Sequence, residues 1–191
     1  MFIYREHLLG GKVGKRFSTK ERIKILKAVI FSEQTISVNI IAARIKISKG
    51  LVSKYLDILA QKGIARRSNG KYLITNSAVT KAAKILLNIT SIDVKIFRKF
   101  DFVEAVGLYG SCAKGENTDE SDVDLWIKIK DVSDDKIASL TAQMNKKIRN
   151  VKPLFLATQK IEKMKKEDEL FYHSLSFGSI VLYGEKDAIQ L

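Results

Sequence analysis

The stretch GSCAKGENTDESDVDL, Gly110 to Leu125, decides how this chain is read. Its downstream end runs into VDLWIKI (Val123 to Ile129), an apolar segment with β-branched residues that reads as a strand. Side chains alternate along a strand, so Asp122 and Asp124 point to one face. Two neighbouring carboxylates repel unless a cation joins them. An oxygen-rich pair suits Mg²⁺, which takes one or two carboxylates, keeps several waters and completes its shell with substrate phosphates. Upstream, VEAVGLYG (Val103 to Gly110) reads as a buried strand, which Gly110 and Ser111 turn into a short helix beginning near Cys112. Free N–H groups at a helix start favour an anion, glycine allows close backbone approach, and the Ser111 hydroxyl adds a donor. The stretch therefore predicts a metal-bound nucleoside triphosphate, with phosphates on Gly110 and Ser111 and the metal on Asp122 and Asp124.

The pattern Gly110-Ser111-x-Ala113-Lys114-Gly115-Glu116-x-Thr118-x-x-Ser121-Asp122-x-Asp124-Leu125 resembles the signature of the DNA polymerase β nucleotidyltransferase superfamily, in its minimal nucleotidyltransferase branch. A Gly-Ser or an Asp-x-Asp alone carries little weight; matching residues at fixed spacing over sixteen positions carry much more. The resemblance runs from Ile92 onward, about half the chain. It implies that Asp122 and Asp124 are the catalytic and metal-ligating carboxylates and that Lys114 lies near the phosphates. Mg²⁺ is then the cofactor, and a nucleoside triphosphate the substrate or effector. Active members of the family carry a third carboxylate on a later strand. Here that strand is VKPLFLAT (Val151 to Thr158), which contains no Asp or Glu, and Glu162 lies beyond it in a helix opened by Thr158. The resemblance thus implies retained metal-nucleotide binding with weak or lost catalysis, as in a regulator. The alternative is an active nucleotidyltransferase acting on a protein or RNA hydroxyl. Relatives of this branch often act as antitoxins beside a HEPN-type ribonuclease toxin, which makes a toxin the implied protein partner.

Charge divides the chain as the motif does. Residues 1–90 hold 18 Lys+Arg and 4 Asp+Glu, a balance of +14, whereas residues 91–191 hold 16 and 17, a balance of −1, within a total of +13. The first half has the composition of a polyanion binder. A chain of 191 residues accommodates two small domains. The expected organisation is a basic arm at residues 1–17, with Lys12, Lys15 and Arg16 beside Gly10-Gly11, a winged helix-turn-helix at 18–90, and the nucleotidyltransferase-like domain at 91–191.

The winged-helix reading rests on local signals. Ser18-Thr19-Lys20-Glu21 forms a capping box ahead of Ile23, Leu26 and Ile30 at helical spacing. A second helix runs from Ser37 through Ile40, Ile41 and Ala43 to Ile45. Ser48 then caps a third, Lys49 to Lys62, with Val52, Leu56 and Leu59 on one face and Gly63 as its end. The runs IARR (Ile64 to Arg67) and KYLIT (Lys71 to Thr75) flank Ser68-Asn69-Gly70, whose Asn-Gly is a strong hairpin signal. A further helix from Ser77 completes the domain or carries the contact of a homodimer. The run ISKGLVSKYLDILAQKGIARR resembles winged-helix transcription regulators, whose third helix enters the major groove. That resemblance places Lys49, Ser53 and Lys54 against double-stranded DNA and Arg66, Arg67 and Lys71 along the wing.

The fold class that follows is α+β in two domains. In the second, a helix from Ile92 to Phe100, the Val103 strand, the motif helix and the Asp-x-Asp strand precede a long helix, Asp134 to Asn150. A strand with Pro153 at its start or on an edge, one helical run KIEKMKKEDELFYHSL (Lys160 to Leu175) and a last strand, SIVLYGE (Ser179 to Glu185), complete a sandwich around a small mixed sheet. Trp126 falls on the aspartate side, either against a bound base or in the core. Cys112 reads as a packed side chain, and His7 and His173 lack metal-ligand spacing. No apolar run approaches the roughly 20 residues that span a bilayer, and no targeting segment is visible, so a cytoplasmic protein is expected.

Overall fold

The computed structural model of the chain describes residues 20–185 and 188–189. The basic arm at 1–17, the Ser18-Thr19 cap and His7 lie outside the described residues. The chain forms two compact units that divide between Lys81 and Ala82, inside a helix, whereas the sequence reading places the joint after residue 90.

The first unit contains α1 (Lys20–Val29), α2 (Val38–Ile45), α3 (Lys49–Gln61), β1 (Ala65–Ser68), β2 (Lys71–Ile74) and the start of α4 (Ala78–Ser91). Helix α1 buries Ile25, Leu26 and Val29. In α2 the buried set is Ile41, Ala42 and Ile45, whereas Ile40 is 67% exposed and Ala43 also faces out. In α3 the Ser48 side chain accepts from the Leu51 N–H, satisfying one of the orphan donors at the helix start. Val52, Tyr55, Leu56 and Leu59 form the buried stripe of that helix, as 3.6-residue periodicity requires. Between β1 and β2, Asn69 (φ 49°) and Gly70 (φ 73°) both take the left-handed conformation a type I′ turn demands, and the strands pair antiparallel with Ser68 opposite Lys71. Ile36 adds a short bridge to β2, with paired backbone hydrogen bonds to Tyr72 of 2.7 and 3.0 Å. The Tyr72 hydroxyl donates to Asp57 Oδ1 at 2.5 Å, tying β2 to α3.

The second unit takes the rest of α4, then a 3₁₀ helix (Val94–Lys99) shorter than the Ile92–Phe100 helix expected. It continues through β3 (Val103–Leu108), α5 (Gly110–Lys114), β4 (Val123–Ile129), α6 (Asp134–Lys147), β5 (Val151–Leu156), α7 (Thr158–Glu167), α8 (Glu169–Gly178) and β6 (Ile180–Tyr183). The sheet order is β5-β4-β3-β6, with β4 and β5 parallel and the other pairs antiparallel, the small mixed sheet expected from the sequence. Pro153 lies inside β5, an edge strand whose unpaired side needs no donor. The single helical run expected at 160–175 breaks at Asp168, whose side chain accepts from the Phe171 N–H and so starts α8.

Each face of this sheet carries its own core. Val106, Leu108, Leu125 and Ile127 pack with Phe97, Leu140 and Met144 on one side. Ala105, Trp126 and Leu156 pack with Ile161, Tyr172 and Leu175 on the other. By alternation Asp122 and Asp124 belong to the second face. Trp126 is fully buried there, its ring over Gly107, where an added Cβ would lie 2.2 Å from ring carbon Cε2. Of the two roles open to Trp126, the structure selects the core. No helix among the described residues is long and apolar enough to cross a membrane.

Candidate functional site

A strand, a sharp turn and a second strand bring the motif residues together where β3 leaves the sheet and β4 enters it. The Tyr109 N–H donates to the Asp124 carbonyl at 3.1 Å, fixing the turn against the strand. Gly110 follows at φ +67°, and a Cβ there would sit 2.5 Å from Asp124 Oδ2. Only glycine satisfies both the backbone conformation and the proximity of the carboxylate. Helix α5 is one five-residue turn, too short for much macrodipole, so what the turn offers is local N–H groups and the Ser111 hydroxyl. Lys114 stands exposed at the far end of that turn.

The loop joining the turn to β4 is braced by residues the sequence reading did not single out. Asn88, on α4, donates to the Cys112 carbonyl at 2.8 Å and to Asn117 Oδ1 at 2.9 Å, and Asn117 Nδ2 returns a bond to Asn88 Oδ1 at 3.2 Å. Lys84 Nζ donates to the Asn117 carbonyl at 2.7 Å. Both asparagines are buried, so this polar pair must be satisfied internally, and it is. Ser121 accepts from the Thr118 N–H at 2.9 Å, and Cys112 Sγ reaches the Asp122 carbonyl at 3.3 Å. The motif's Thr118 and Ser121 therefore shape the loop that delivers Asp122. A signal for Asn88 existed in the sequence: an amide inside the apolar helical run KILLNIT calls for a buried partner.

Burial, followed by the charge of Asp122, holds the Asp124 carboxyl above the usual carboxylate range, with Lys152 opposing the shift. Burial and then Asp124 likewise raise the Tyr109 phenol. Burial pushes the Cys112 thiol up to about 11, which makes it a packed side chain and a poor nucleophile. Lys152, absent from the expected site, places Nζ 2.6 Å from Asp122 Oδ2, and its ammonium is held above the usual range chiefly by that hydrogen bond.

The face of β5 that looks toward the aspartates is settled by register: Lys152 pairs with Asp124 and Leu154 with Trp126. Lys152, Leu154 and Leu156 share the aspartate face and Phe155 belongs to the opposite core, so no acid stands on the strand expected to supply one. Glu162 is exposed on α7. Among the described residues no group of three or more His, Cys, Asp and Glu could hold a metal by itself. Two carboxylates beside a turn whose glycine lets the backbone approach closely do fit a divalent cation that arrives with a triphosphate, since phosphate oxygens and water then complete its shell.

In the first unit, Lys49, Lys54, Arg66, Arg67 and Lys71 are exposed and Ser53 is half-buried, all on α3 or the hairpin and off the buried stripe of α3. Arg67 differs from the others. Its guanidinium lies 5.7 Å from the Tyr72 ring centroid and 3.6 Å from Asp57, so part of its charge is already engaged.

Residues 94–188 match the family described as Polymerase beta, Nucleotidyltransferase. No curated protein matches the chain. Among solved structures, a protein from Sulfolobus solfataricus assigned as a nucleotidyltransferase shares 19% identity, covering 59% of this chain and 91% of its own at a TM-score of 0.38. A chain from the complex of tri-AMPylated Shewanella oneidensis HEPN toxin with MNT antitoxin shares 15% identity, covering 56% of this chain and 77% of its own at a TM-score of 0.36.

Proposed function

We propose, from the premise that residues 94–188 are a polymerase beta-type nucleotidyltransferase domain, that this protein binds a Mg²⁺-nucleoside triphosphate and couples it to DNA binding with little or no nucleotidyl transfer. The observation that carries the reading is the close approach of the Gly110 turn to the Asp124 carboxylate, whose Oδ2 lies 2.5 Å from where a Cβ would stand, with Asp122 on the same face by strand alternation. Asp122 and Asp124 are the residues that would hold the metal. When bound, the metal would neutralise phosphate charge and polarise the transferring group. The chain's own groups do the positioning: the turn at Gly110 and Ser111 offers N–H and hydroxyl donors to the phosphates, with Lys114 as a further phosphate contact. Asn88, Asn117 and Lys84 keep the turn and the aspartate loop in register.

Support for weak transfer comes from β5. A positioned base typically contributes about 10²- to 10⁴-fold, and the aspartate face of β5 offers a lysine and two leucines in place of an acid. Three helices followed by a two-stranded hairpin, with Lys49, Ser53 and Lys54 on the third helix and Arg66, Arg67 and Lys71 on the hairpin, support a winged-helix contact to duplex DNA.

The deciding experiment gives the purified protein Mg²⁺ and each labelled triphosphate in turn. Calorimetry should show Mg²⁺-dependent binding, and label should remain unincorporated. Robust transfer to the protein itself, to RNA or to a co-expressed toxin would replace this reading with that of an active nucleotidyltransferase. Absence of any binding would overturn both.

A further inference from the structure

The aspartate pair is not left without a cation. Lys152 enters from the parallel strand β5 in register with Asp124, and its ammonium reaches across to Asp122 at 2.6 Å. Its Lys152 side chain is nevertheless 67% exposed, and that of Asp122 is 40% exposed. The contact is therefore short but wet. Ion pairs of that kind are worth little, because water screens them and two side chains must be held in one geometry. A doubly charged ion with a free coordination position can displace such an ammonium, but only against the charge that remains nearby.

We propose that Lys152 is the resident cation of this site: it neutralises Asp122 while the site is empty and passes to the triphosphate when the metal-nucleotide arrives. The inference rests on the reading of Asp122 and Asp124 as metal-nucleotide ligands. It gives β5 a role that its lack of an acid otherwise leaves blank. A third carboxylate at this face would attract a metal on its own account; a lysine repels a lone metal and rewards one that brings phosphate. Metal and nucleotide then help each other bind, and by linkage the help is reciprocal. Lys152 sets its size.

The test uses the full chain with Mn²⁺ as the metal probe, its free concentration followed by electron paramagnetic resonance, and the α,β-methylene analogues of ATP and GTP as nucleotide probes. Lys152→Met keeps the length of the side chain and removes its charge. It should bind Mn²⁺ alone about three- to tenfold more tightly than the unmodified protein, and should bind the analogues several-fold more weakly in saturating Mn²⁺. Lys152→Arg keeps the charge and should stay within about twofold of the unmodified protein for Mn²⁺ alone. Unchanged Mn²⁺ affinity in Lys152→Met, with analogue binding intact, overturns the role of Lys152 and leaves the nucleotide site standing. No analogue binding by the unmodified protein overturns the site itself and this inference with it.

Discussion

In the first unit, the residues proposed to contact DNA occupy exposed or half-buried positions on a helix and a hairpin, and none of them dictates the backbone beneath it. In the second, a missing Cβ at Gly110 makes room for one carboxylate, and a missing Cβ at Gly107 makes room for the one tryptophan. The first arrangement spreads its function over charge that can be traded between positions. The second concentrates it in a few atoms whose spacing is fixed by packing. Single substitutions should therefore act steeply in the second unit and gradually in the first.

The most severe break is expected at Gly107→Ala. The new methyl group would meet the Trp126 ring, which is fully buried between β3 and the helices α7 and α8. Overpacking of this kind should destabilise the second unit by ~3 kcal/mol. Trp126 is the only tryptophan, so urea unfolding followed by its emission reports this unit selectively, and an unchanged midpoint would show that the ring has room to move. Next in size is the double variant Asp122→Ala, Asp124→Ala. Changes to the partners of metal ligands already cost about 10–100-fold in affinity, so removing both ligands should weaken Mg²⁺-nucleotide binding at least roughly 100-fold. Ser111→Ala removes one hydroxyl donor and should cost only about fivefold. Calorimetry that ranks Ser111 above the aspartates would reverse the assignment.

The same contrast explains what the sequence made legible. Strand alternation put Asp122, Asp124 and Trp126 on one face, and the Asn69-Gly70 hairpin follows from backbone rules alone, because both depend on neighbours in the chain. Lys152 did not stand out. Its place depends on how β5 registers against β4, and VKPLFLAT carries no signal that selects Lys152 and Leu154 over Pro153 and Phe155 for the aspartate face. The Asn88–Asn117 pair is likewise a contact between distant residues. In α2 the apolar residues are nearly continuous, so periodicity does not fix the helix phase, and the structure buries Ala42 while exposing Ile40. Asp168 is a different case: an aspartate followed by Glu169 is a local start signal, but it stands inside an apparently continuous helical run.

On the gradual side of the comparison, DNA affinity should fall steeply with salt as bound counterions are released, and each lost phosphate contact should reduce the slope of log K against log salt by ~0.9. Arg66→Ala should show nearly that full reduction for all sequences alike. Arg67→Ala should show less, because the Arg67 guanidinium is already shared with Asp57 and Tyr72. Lys54→Ala, on α3, should weaken binding as well. Fluorescence anisotropy over a salt series checks all three; salt-insensitive binding would overturn the phosphate contacts, and equal losses for Arg66 and Arg67 would count against the charge-sharing argument.

The smallest effect concerns the strain stored in the aspartate pair. Burial and the charge of Asp122 make Asp124 easier to protonate in the folded protein than in the unfolded one. The sign follows from proton linkage: the stability this group contributes is fully present below the ordinary carboxylate range and is lost as pH rises through its elevated folded value. At neutral pH the ionised Asp124 therefore works against folding. Asp124→Asn removes the charge with little change in shape, so it should raise the urea midpoint of the second unit at pH 7, and the advantage should vanish as pH falls into the carboxylate range. Because Asp124 is only partly buried and Lys152 opposes the shift, the gain should stay under about 1 kcal/mol. A midpoint lowered at pH 7 would mean that Lys152 more than compensates the pair, so that the empty site carries no electrostatic strain for a metal to relieve.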